Sequence, residues 1–275
     1  KQYAADKKYW EESLSKTSEP IFTDYMLESR LKQQRREHPT HRFADIHSGS
    51  PAAKAKIFDM TEDETNALSK MCAENDLSLC AALSMGVRTA LSVFNDNEED
   101  VSFKMIVDRR GSLAEKKSGG IRINFFPMRS IITPEMTFSE AVRNIMEVQN
   151  EIYSHCSLSF AEMLAERHKS MPKDAKPDST YDSMGFSYQP LMLIPNVDEK
   201  TARSAKGVWY NNGASMIPLY LTARHRANDS GLEFIFEYRL TPNPEHDLDV
   251  FFQKMRIALN LGAKNPEIKV GEILE

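Results

Sequence analysis

The chain has 275 residues, of which 41% are hydrophobic and 27% are charged. This balance is typical of an ordinary globular protein, and the length suffices to bury a core. The net charge of −5 supplies no chain-wide basic footprint of the kind that general nucleic-acid binding needs. No apolar run reaches the ~20 residues of a membrane helix. We therefore predict neither a nucleic-acid nor a membrane partner.

The spacing of the cysteines and histidines predicts neither a metal site nor a disulfide bond. The three cysteines are Cys72, Cys80 and Cys156. They cannot all pair with one another, and none lies in a Cys-x-x-Cys motif, so we expect free thiols in the cytoplasm. A polar stretch contains three of the histidines, His38, His41 and His47. Ordering such ligands costs conformational entropy and no further ligand pattern accompanies them, so no metal is expected.

The chain divides into three parts. Residues 1–14 are predicted to form a short helix, because their aromatic residues recur on related turns. Residues 15–53 are polar, with a basic cluster and poor periodicity, and are predicted to be a connector. Residues 54–275 are predicted to form one lobe. Because a connector of this length is uncommon inside one domain, the first helix is expected to belong to a different body.

The lobe alternates short strands with amphipathic helices. Capping boxes at Thr61 and Thr137 predict the starts of two helices, because the hydroxyl caps a backbone N–H and the glutamate three residues later reaches back. Pro127 predicts an edge strand or a bulge. The predicted strands are 55–60, 101–107, 121–132, 181–189, 206–213, 216–224 and 232–240. Further helices are predicted at 78–94, near 158–168 and at about 246–261. This order predicts an α/β or α+β layer with a mixed sheet.

No complete catalytic motif is visible, and neither a phosphate-binding loop nor a dinucleotide fingerprint is present. His225, Asp229 and Gly231 form a pattern similar to the His-His-x-x-x-Asp-Gly signature of one acyltransferase superfamily. However, Arg224 replaces the first histidine, and a serine precedes the glycine. Asn, Asp, Ser and Gly all favour turns. We therefore interpret the segment as a polar hairpin turn and predict that His225 and Asp229 are not a catalytic pair.

Five blocks of sequence, in order, resemble one family. The segment RGSLAEKKSGGIRINFFPMR resembles the "R…GxxxNxxPxR" block of condensation domains in nonribosomal peptide synthetases. Its matching residues are Arg110, Gly120, Asn124, Pro127 and Arg129. The first helix, DKKYWEESL, is similar to the D-x-x-Y-W-x-x-x-L helix that ends the first lobe of the family. The segments SMIPLYLTA and LEFIFEY, followed by a helix, are similar to the closing blocks.

Two further blocks match with one replacement each. His155 and Phe160 resemble the H-x-x-x-P-F block, with Ser159 where proline is usual. The segment FSYQ resembles the F-x-x-Q-N strand, with Pro190 replacing the asparagine. The resemblance covers nearly the whole chain.

The resemblance implies a chloramphenicol-acetyltransferase-like lobe with a mixed, mainly antiparallel sheet flanked by helices. It implies amide formation, in which the amine of an acceptor attacks the thioester carbonyl of a donor at the junction of two lobes. The implied partners are donor and acceptor peptidyl carrier proteins, an N-terminal lobe and a neighbouring adenylation domain. The carrier proteins would bring phosphopantetheine arms, and no covalently bound cofactor is expected.

The catalytic His-His-x-x-x-Asp-Gly of the family lies upstream of the Trp10 helix and would precede Lys1. We therefore expect the C-terminal lobe of a condensation domain, preceded by a remnant helix of the first lobe at 1–14. No catalytic residue is expected on this chain, which would be inactive alone. The alternative is a noncatalytic interaction module, or an acyltransferase relative, that uses the same fold as a scaffold.

Tyr188 and Gln189 are the candidate residues for the wall of the substrate tunnel. Their alternation places them on opposite faces of a strand, so only one points into a given cavity unless the strand ends or bulges at Pro190. The other residues that match the family are predicted to be structural, since buried polar groups usually satisfy other polar groups. These residues are Arg110, Gly120, Asn124, Pro127, Arg129, His155 and Phe160.

Overall fold

The computed structural model describes residues 2–16, 44–45, 50–171, 173, 179–180, 184–190, 210–226, 229, 231–240 and 244–274. Most of the predicted connector 15–53 lies outside the described residues, as do the three histidines within it. The greater part of the predicted strand 206–213 is outside them as well. Its described residues, 210–213, do not form a strand. This part of the prediction was wrong, and only Ala214, just beyond it, makes an isolated bridge to Ala52.

Helices and strands alternate through most of the chain. The helices are α1 (Gln2–Lys16), α2 (Glu62–Glu74), α3 (Leu79–Phe94), α4 (Leu113–Lys116), α5 (Phe138–Ser154), α6 (Phe160–Ser170), α7 (Glu245–Lys264) and α8 (Val270–Leu274). The strands are β1 (Ala44–Asp45), β2 (Ala53–Met60), β3 (Asp100–Asp108), β4 (Ile123–Ile131), β5 (Ser179–Thr180), β6 (Met184–Gln189), β7 (Leu219–His225) and β8 (Leu232–Arg239).

A six-stranded mixed sheet in the order β2-β8-β7-β6-β3-β4 organises the fold. The pairs β2–β8, β8–β7 and β3–β4 are antiparallel, whereas β6 pairs in parallel with both β7 and β3. The predicted α/β class with a mixed, mainly antiparallel sheet is confirmed. β1 and β5 form a separate two-stranded sheet. Pro127 lies on β4, an edge strand, as its missing N–H predicts.

Helices α2, α3, α5 and α7 cover one face of the sheet. Phe236 of β8 contacts Phe251 of α7, and Phe103 and Phe186 meet edge to face within the same core. The central helix α3 is buried around almost its whole circumference. A Cβ added at Gly86 would lie 2.9 Å from the side chains of both Leu259 and Met255, so the close approach of α3 to α7 requires glycine. None of the described helices is, by itself, long and apolar enough to cross a membrane.

Capping boxes begin four of the described helices. The predicted boxes at Thr61 and Thr137 are present and open α2 and α5. Two more boxes, Ser112 with Glu115 and Ser159 with Glu162, open α4 and α6. The one-turn helix α4 lies between the predicted strands 101–107 and 121–132, where the sequence analysis predicts no helix, and its box explains why a helix forms there.

Helix α1 packs against the lobe. Trp10 is 3% exposed and stacks on Phe126 of β4, with 5.6 Å between the ring centroids. Asp6 is 1% exposed. It accepts hydrogen bonds from His155 Nδ1 at 3.2 Å and from the Ser157 backbone N–H at 3.0 Å. The predicted N-terminal helix is therefore present, and it shares the core of the sheet. Its assignment to a first lobe remains a prediction.

Candidate functional site

Three neighbouring parallel strands, β3, β6 and β7, end at the same edge of the sheet. We name this the carboxyl edge and define it by the strand ends at Asp108, Gln189 and His225. In sheets with parallel strands, ligands commonly bind beside the carboxyl ends. The block that begins at Arg110 leaves the sheet here, and the FSYQ strand ends here. The carboxyl edge therefore gathers segments that are far apart in the sequence.

Tyr188 and Gln189 lie at the carboxyl edge on opposite faces of β6, as their alternation predicts. Tyr188 is half-buried, on the face that the helices cover, and Gln189 is exposed. The Tyr188 hydroxyl lies 2.8 Å from Nε2 of His225. His225 follows Ala223, the parallel partner of Tyr188, by two residues, so both side chains project from one face. The structure thus brings together two residues that the sequence analysis treated separately.

The environment of Tyr188 fixes its protonation state. Burial raises its pKa to about 12, because the phenolate would lose hydration. The phenol is therefore protonated at neutral pH, and its hydroxyl both donates and accepts hydrogen bonds.

The pairing of β3 with β6 ends before the carboxyl edge. The two strands pair at Lys104–Gly185 and Met105–Phe186. Both strands continue for another three residues, to Asp108 and to Gln189, beyond the last of these pairs. On the other side of β6, pairing with β7 continues to Gln189. The last three residues of β6 are consequently paired with β7 but not with β3.

The residues of the "R…GxxxNxxPxR" block bind other parts of the same lobe. Arg110 donates to the Gly120 carbonyl at 2.5 Å, and Gly120 has φ +94°, which favours glycine. Asn124 is 4% exposed and donates to the Leu158 carbonyl at 2.8 Å. Arg129 forms a bidentate ion pair with Asp100, at 2.7 and 2.5 Å. These contacts agree with a structural role.

The His155 segment serves as the docking point for α1. His155 ends α5, and Tyr9 stacks on its ring at 3.9 Å with an interplanar angle of 10°. Trp10 Nε1 donates to the His155 carbonyl at 2.7 Å. Phe160 is the first residue of α6. Ser159, where the family has proline, caps that helix by accepting from the Glu162 backbone N–H at 3.3 Å.

The His225 segment is a hairpin turn, and its acidic residue binds an arginine. Asp229 accepts two hydrogen bonds from Arg226, at 2.8 and 2.9 Å, and one from the Gly231 backbone N–H at 2.8 Å. Arg224, on the opposite face of β7 from His225, pairs with Glu233 across the strands. These contacts account for Asp229 as a turn residue. The turn interpretation does not predict the contact between His225 and Tyr188.

An open cleft of about 300 Å³ lies on the face of the sheet opposite Tyr188. It is lined by Phe125, Tyr210, Asn212, Ala214, Ser215, Met216, Ile217, Tyr220 and Glu237. Neither Tyr188 nor Gln189 is among these residues. Within the part of the chain that the structure describes, no group of three or more His, Cys, Asp or Glu side chains is arranged to hold a metal ion.

The fold and the comparisons with known proteins define the class. A mixed sheet with helices on one face, as in this lobe, is the chloramphenicol-acetyltransferase-like fold of condensation-domain structures. The first condensation domain of the calcium-dependent antibiotic synthetase, in complex with substrate analogue 3a, has a TM-score of 0.69 at 16% identity. That match covers 98% of this chain and 53% of the other. The condensation domain of the Monacolin K polyketide synthase MokA has a TM-score of 0.73 at 15% identity, with 98% and 59% covered.

The Condensation domain family profile matches residues 1–274, and the chain therefore belongs to this family. A plipastatin synthase from Bacillus subtilis (strain 168) is 22% identical over 244 residues. The match covers 86% of this chain and 9% of that protein. The chain thus spans about half the length of the solved structures that it matches, and a small part of the curated relative.

Proposed function

We propose that this chain is the C-terminal lobe of a nonribosomal peptide synthetase condensation domain, and that the intact domain forms amide bonds. The amine of an acceptor attacks the thioester carbonyl of a donor, and the thiol of the donor's pantetheine arm leaves with a proton. The observation that carries the proposal is the Condensation domain match over residues 1–274. The proposed partners are donor and acceptor peptidyl carrier proteins, a first lobe and an adenylation domain.

The carboxyl edge is the proposed contribution of this lobe to the substrate tunnel. Tyr188 and Gln189 end β6 there, and the absence of ladder pairing with β3 at these two residues supports access to them. Asp229, the acidic residue of the His225 turn, is already bound by Arg226 and the Gly231 N–H. The catalytic histidine is accordingly proposed to come from the first lobe, and this chain shapes and aligns the substrate.

The test compares the full gene product with the 275-residue chain. Each is incubated with donor-loaded and acceptor-loaded carrier proteins, and the condensed product is measured by mass spectrometry. We expect product from the full gene product and none above background from the chain alone, because positioning and general-base catalysis each contribute orders of magnitude to rate. Turnover by the isolated chain at the rate of the full gene product would contradict the assignment of the catalytic residues.

A further inference from the structure

Among the described residues, His225 is the hydrogen-bond partner that the structure shows for the Tyr188 hydroxyl, and this phenol retains further hydrogen-bonding capacity at the carboxyl edge. A phenol hydroxyl has one donor and two acceptor positions. Its contact with His225 Nε2, at 2.8 Å, uses one of them. Both side chains are half-buried, so the pair is neither sealed in the core nor fully hydrated. Such a site holds a polar group in a defined orientation and still allows a ligand to approach.

The sequence at the end of β6 supplies a reason for a donor here. Pro190 directly follows the strand and stands where the family strand has an asparagine, so that amide is missing. Tyr188 lies two residues earlier, near the end of β6, and its side chain projects from the helix-covered face at the same edge of the sheet.

We propose that Tyr188, oriented by His225, binds a carbonyl oxygen of an acyl-pantetheine at the carboxyl edge, either the thioester carbonyl or an amide carbonyl of the pantetheine arm. In the tautomer that carries its proton on Nε2, His225 donates to the phenol oxygen, which leaves the phenol O–H to donate to the carbonyl. Tyr188 is thus a binding residue and His225 a positioning residue. The proposal rests on the proposed function, because that function supplies the pantetheine-linked ligand.

The neighbouring strand offers a matched control in Tyr220. It is half-buried like Tyr188, but it lies on the opposite face of the sheet, where it lines the open cleft. Burial raises the pKa of both phenols, so both are protonated at neutral pH. Replacing each tyrosine with phenylalanine removes one hydroxyl from one face, and the comparison identifies the face that binds the ligand.

The experiment titrates the 275-residue chain with pantetheine and with S-acetylpantetheine and measures both dissociation constants by NMR. Tyr188→Phe is expected to weaken binding about fivefold, the effect of one lost neutral hydrogen bond. The Tyr220→Phe variant should bind like the wild type. A loss confined to S-acetylpantetheine identifies the thioester carbonyl as the bound group, and an equal loss for both ligands identifies a pantetheine amide.

The role of His225 is tested by replacement with an isostere. His225→Ala removes the group that orients the phenol and is expected to weaken binding about threefold. His225→Gln, whose amide nitrogen can occupy the position of Nε2, should restore binding to within about twofold of the wild type. Melting temperatures of all variants are measured in parallel, so that a loss of binding can be separated from a loss of folded protein.

Three results would overturn the proposal: no measurable binding of either ligand, equal binding by wild type and Tyr188→Phe, or a loss caused by Tyr220→Phe instead. These results are independent of amide formation. Failure of the proposed function would instead appear as a full gene product that makes no amide, whatever the ligand affinity of this chain.

Discussion

Glu64 joins the start of α2 to α7 through its ionised carboxylate. Oε1 accepts hydrogen bonds from Arg256 at 2.8 Å and Asn260 at 2.6 Å, and Oε2 accepts one from the Thr61 backbone N–H at 2.9 Å. Burial opposes ionisation, but the hydrogen bonds outweigh it and lower the pKa of Glu64 to about 2. One side chain thus completes a helix cap and joins two helices.

The lowered pKa of Glu64 predicts a loss of stability in acid. The stabilisation is fully present above the unfolded-state pKa, near 4.5, and decreases as the pH falls toward 2. Glu64→Gln should lower the free energy of unfolding at pH 7 by on the order of 2 kcal/mol, after allowance for solvent screening. Urea unfolding between pH 7 and 3 should show this difference shrinking below about pH 5.

Glu74→Gln is the control, because its ion pair with Lys70 lies on the surface. Exposed pairs of this kind contribute little to stability, so this variant should follow the wild type at every pH. If the Glu64→Gln difference stayed constant down to pH 3, ionisation of Glu64 would not be its cause.

Asn124 has a structural role within the family block. Its amide nitrogen donates to the Leu158 carbonyl, and its oxygen accepts from the Phe125 N–H at 2.8 Å. Asn124→Ala leaves both groups without this partner and should destabilise the lobe by about 2 kcal/mol. Thermal unfolding measures this cost, with replacement of the exposed Asn212 as the control. Unchanged stability together with weakened pantetheine binding would place Asn124 in the binding site instead.

At the scale of elements, α1 is attached to the lobe by a polar centre at Asp6 and by the aromatic contacts of Tyr9 and Trp10. Asp6 receives hydrogen bonds from Gln2, His155 and Ser157. Burial opposes its ionisation, but these hydrogen bonds lower the pKa of Asp6 below its ordinary value. The carboxylate is therefore ionised while α1 is docked, and both of its oxygens accept hydrogen bonds.

We predict that Asp6→Asn loosens α1 without unfolding the sheet. The asparagine side chain has the shape of the aspartate side chain, but it carries no charge. Its NH2 group would also face the N–H groups of Ser157 and His155, which are hydrogen-bond donors themselves. Amide hydrogen exchange should become at least about tenfold faster within α1, the effect of ~1.4 kcal/mol, and remain slow in β8. The control is Lys8→Gln, on the exposed side of the helix. Equal exchange in the Asp6→Asn and wild-type chains would show that the contacts of Tyr9 and Trp10 hold α1 without the carboxylate of Asp6.

Local elements were predictable from the sequence, and long-range pairings were not. The boxes at Thr61 and Thr137 act within one turn, so their residues predict two helix starts. Ser112 has the same signature, but the helix that it opens, α4, is a single turn without periodicity and was not predicted. Helix α6 was predicted, but its box at Ser159 was not. The parallel pairing of β6 with β3, and the contact of Tyr188 with His225, depend on the sheet order. The spacing of residues along the sequence does not specify the order of the strands in the sheet.

At the scale of the whole molecule, the first strand of the main sheet pairs with the last. β2 begins at Ala53, whose partner on β8 is Arg239. Helix α7, which follows β8, contributes much of the core that covers the sheet. Long-range pairing carries an entropic cost of loop closure and generally slows folding. The lobe therefore cannot complete its core until β8 and α7 are available.

A truncation series tests this dependence. A chain that ends at Gly231 lacks β8 and α7 and should show no cooperative thermal transition. A chain that ends at Lys264 loses α8, whose Val270 and Ile273 are buried, and should unfold cooperatively at a lower temperature. Circular dichroism and protease resistance report both outcomes. Protease resistance of the chain that ends at Gly231 would show that the remaining sheet and helices fold without the last strand.

The docking of α1 also determines where this chain can be joined to a relative in a hybrid synthetase. A crossover between Lys16 and Ala53 would take Asp6 and Trp10 from one parent but their partners, His155 and Phe126, from the other. A crossover upstream of Gln2 would keep both pairs together. Hybrids joined before α1 are therefore expected to yield more soluble protein than hybrids joined after it.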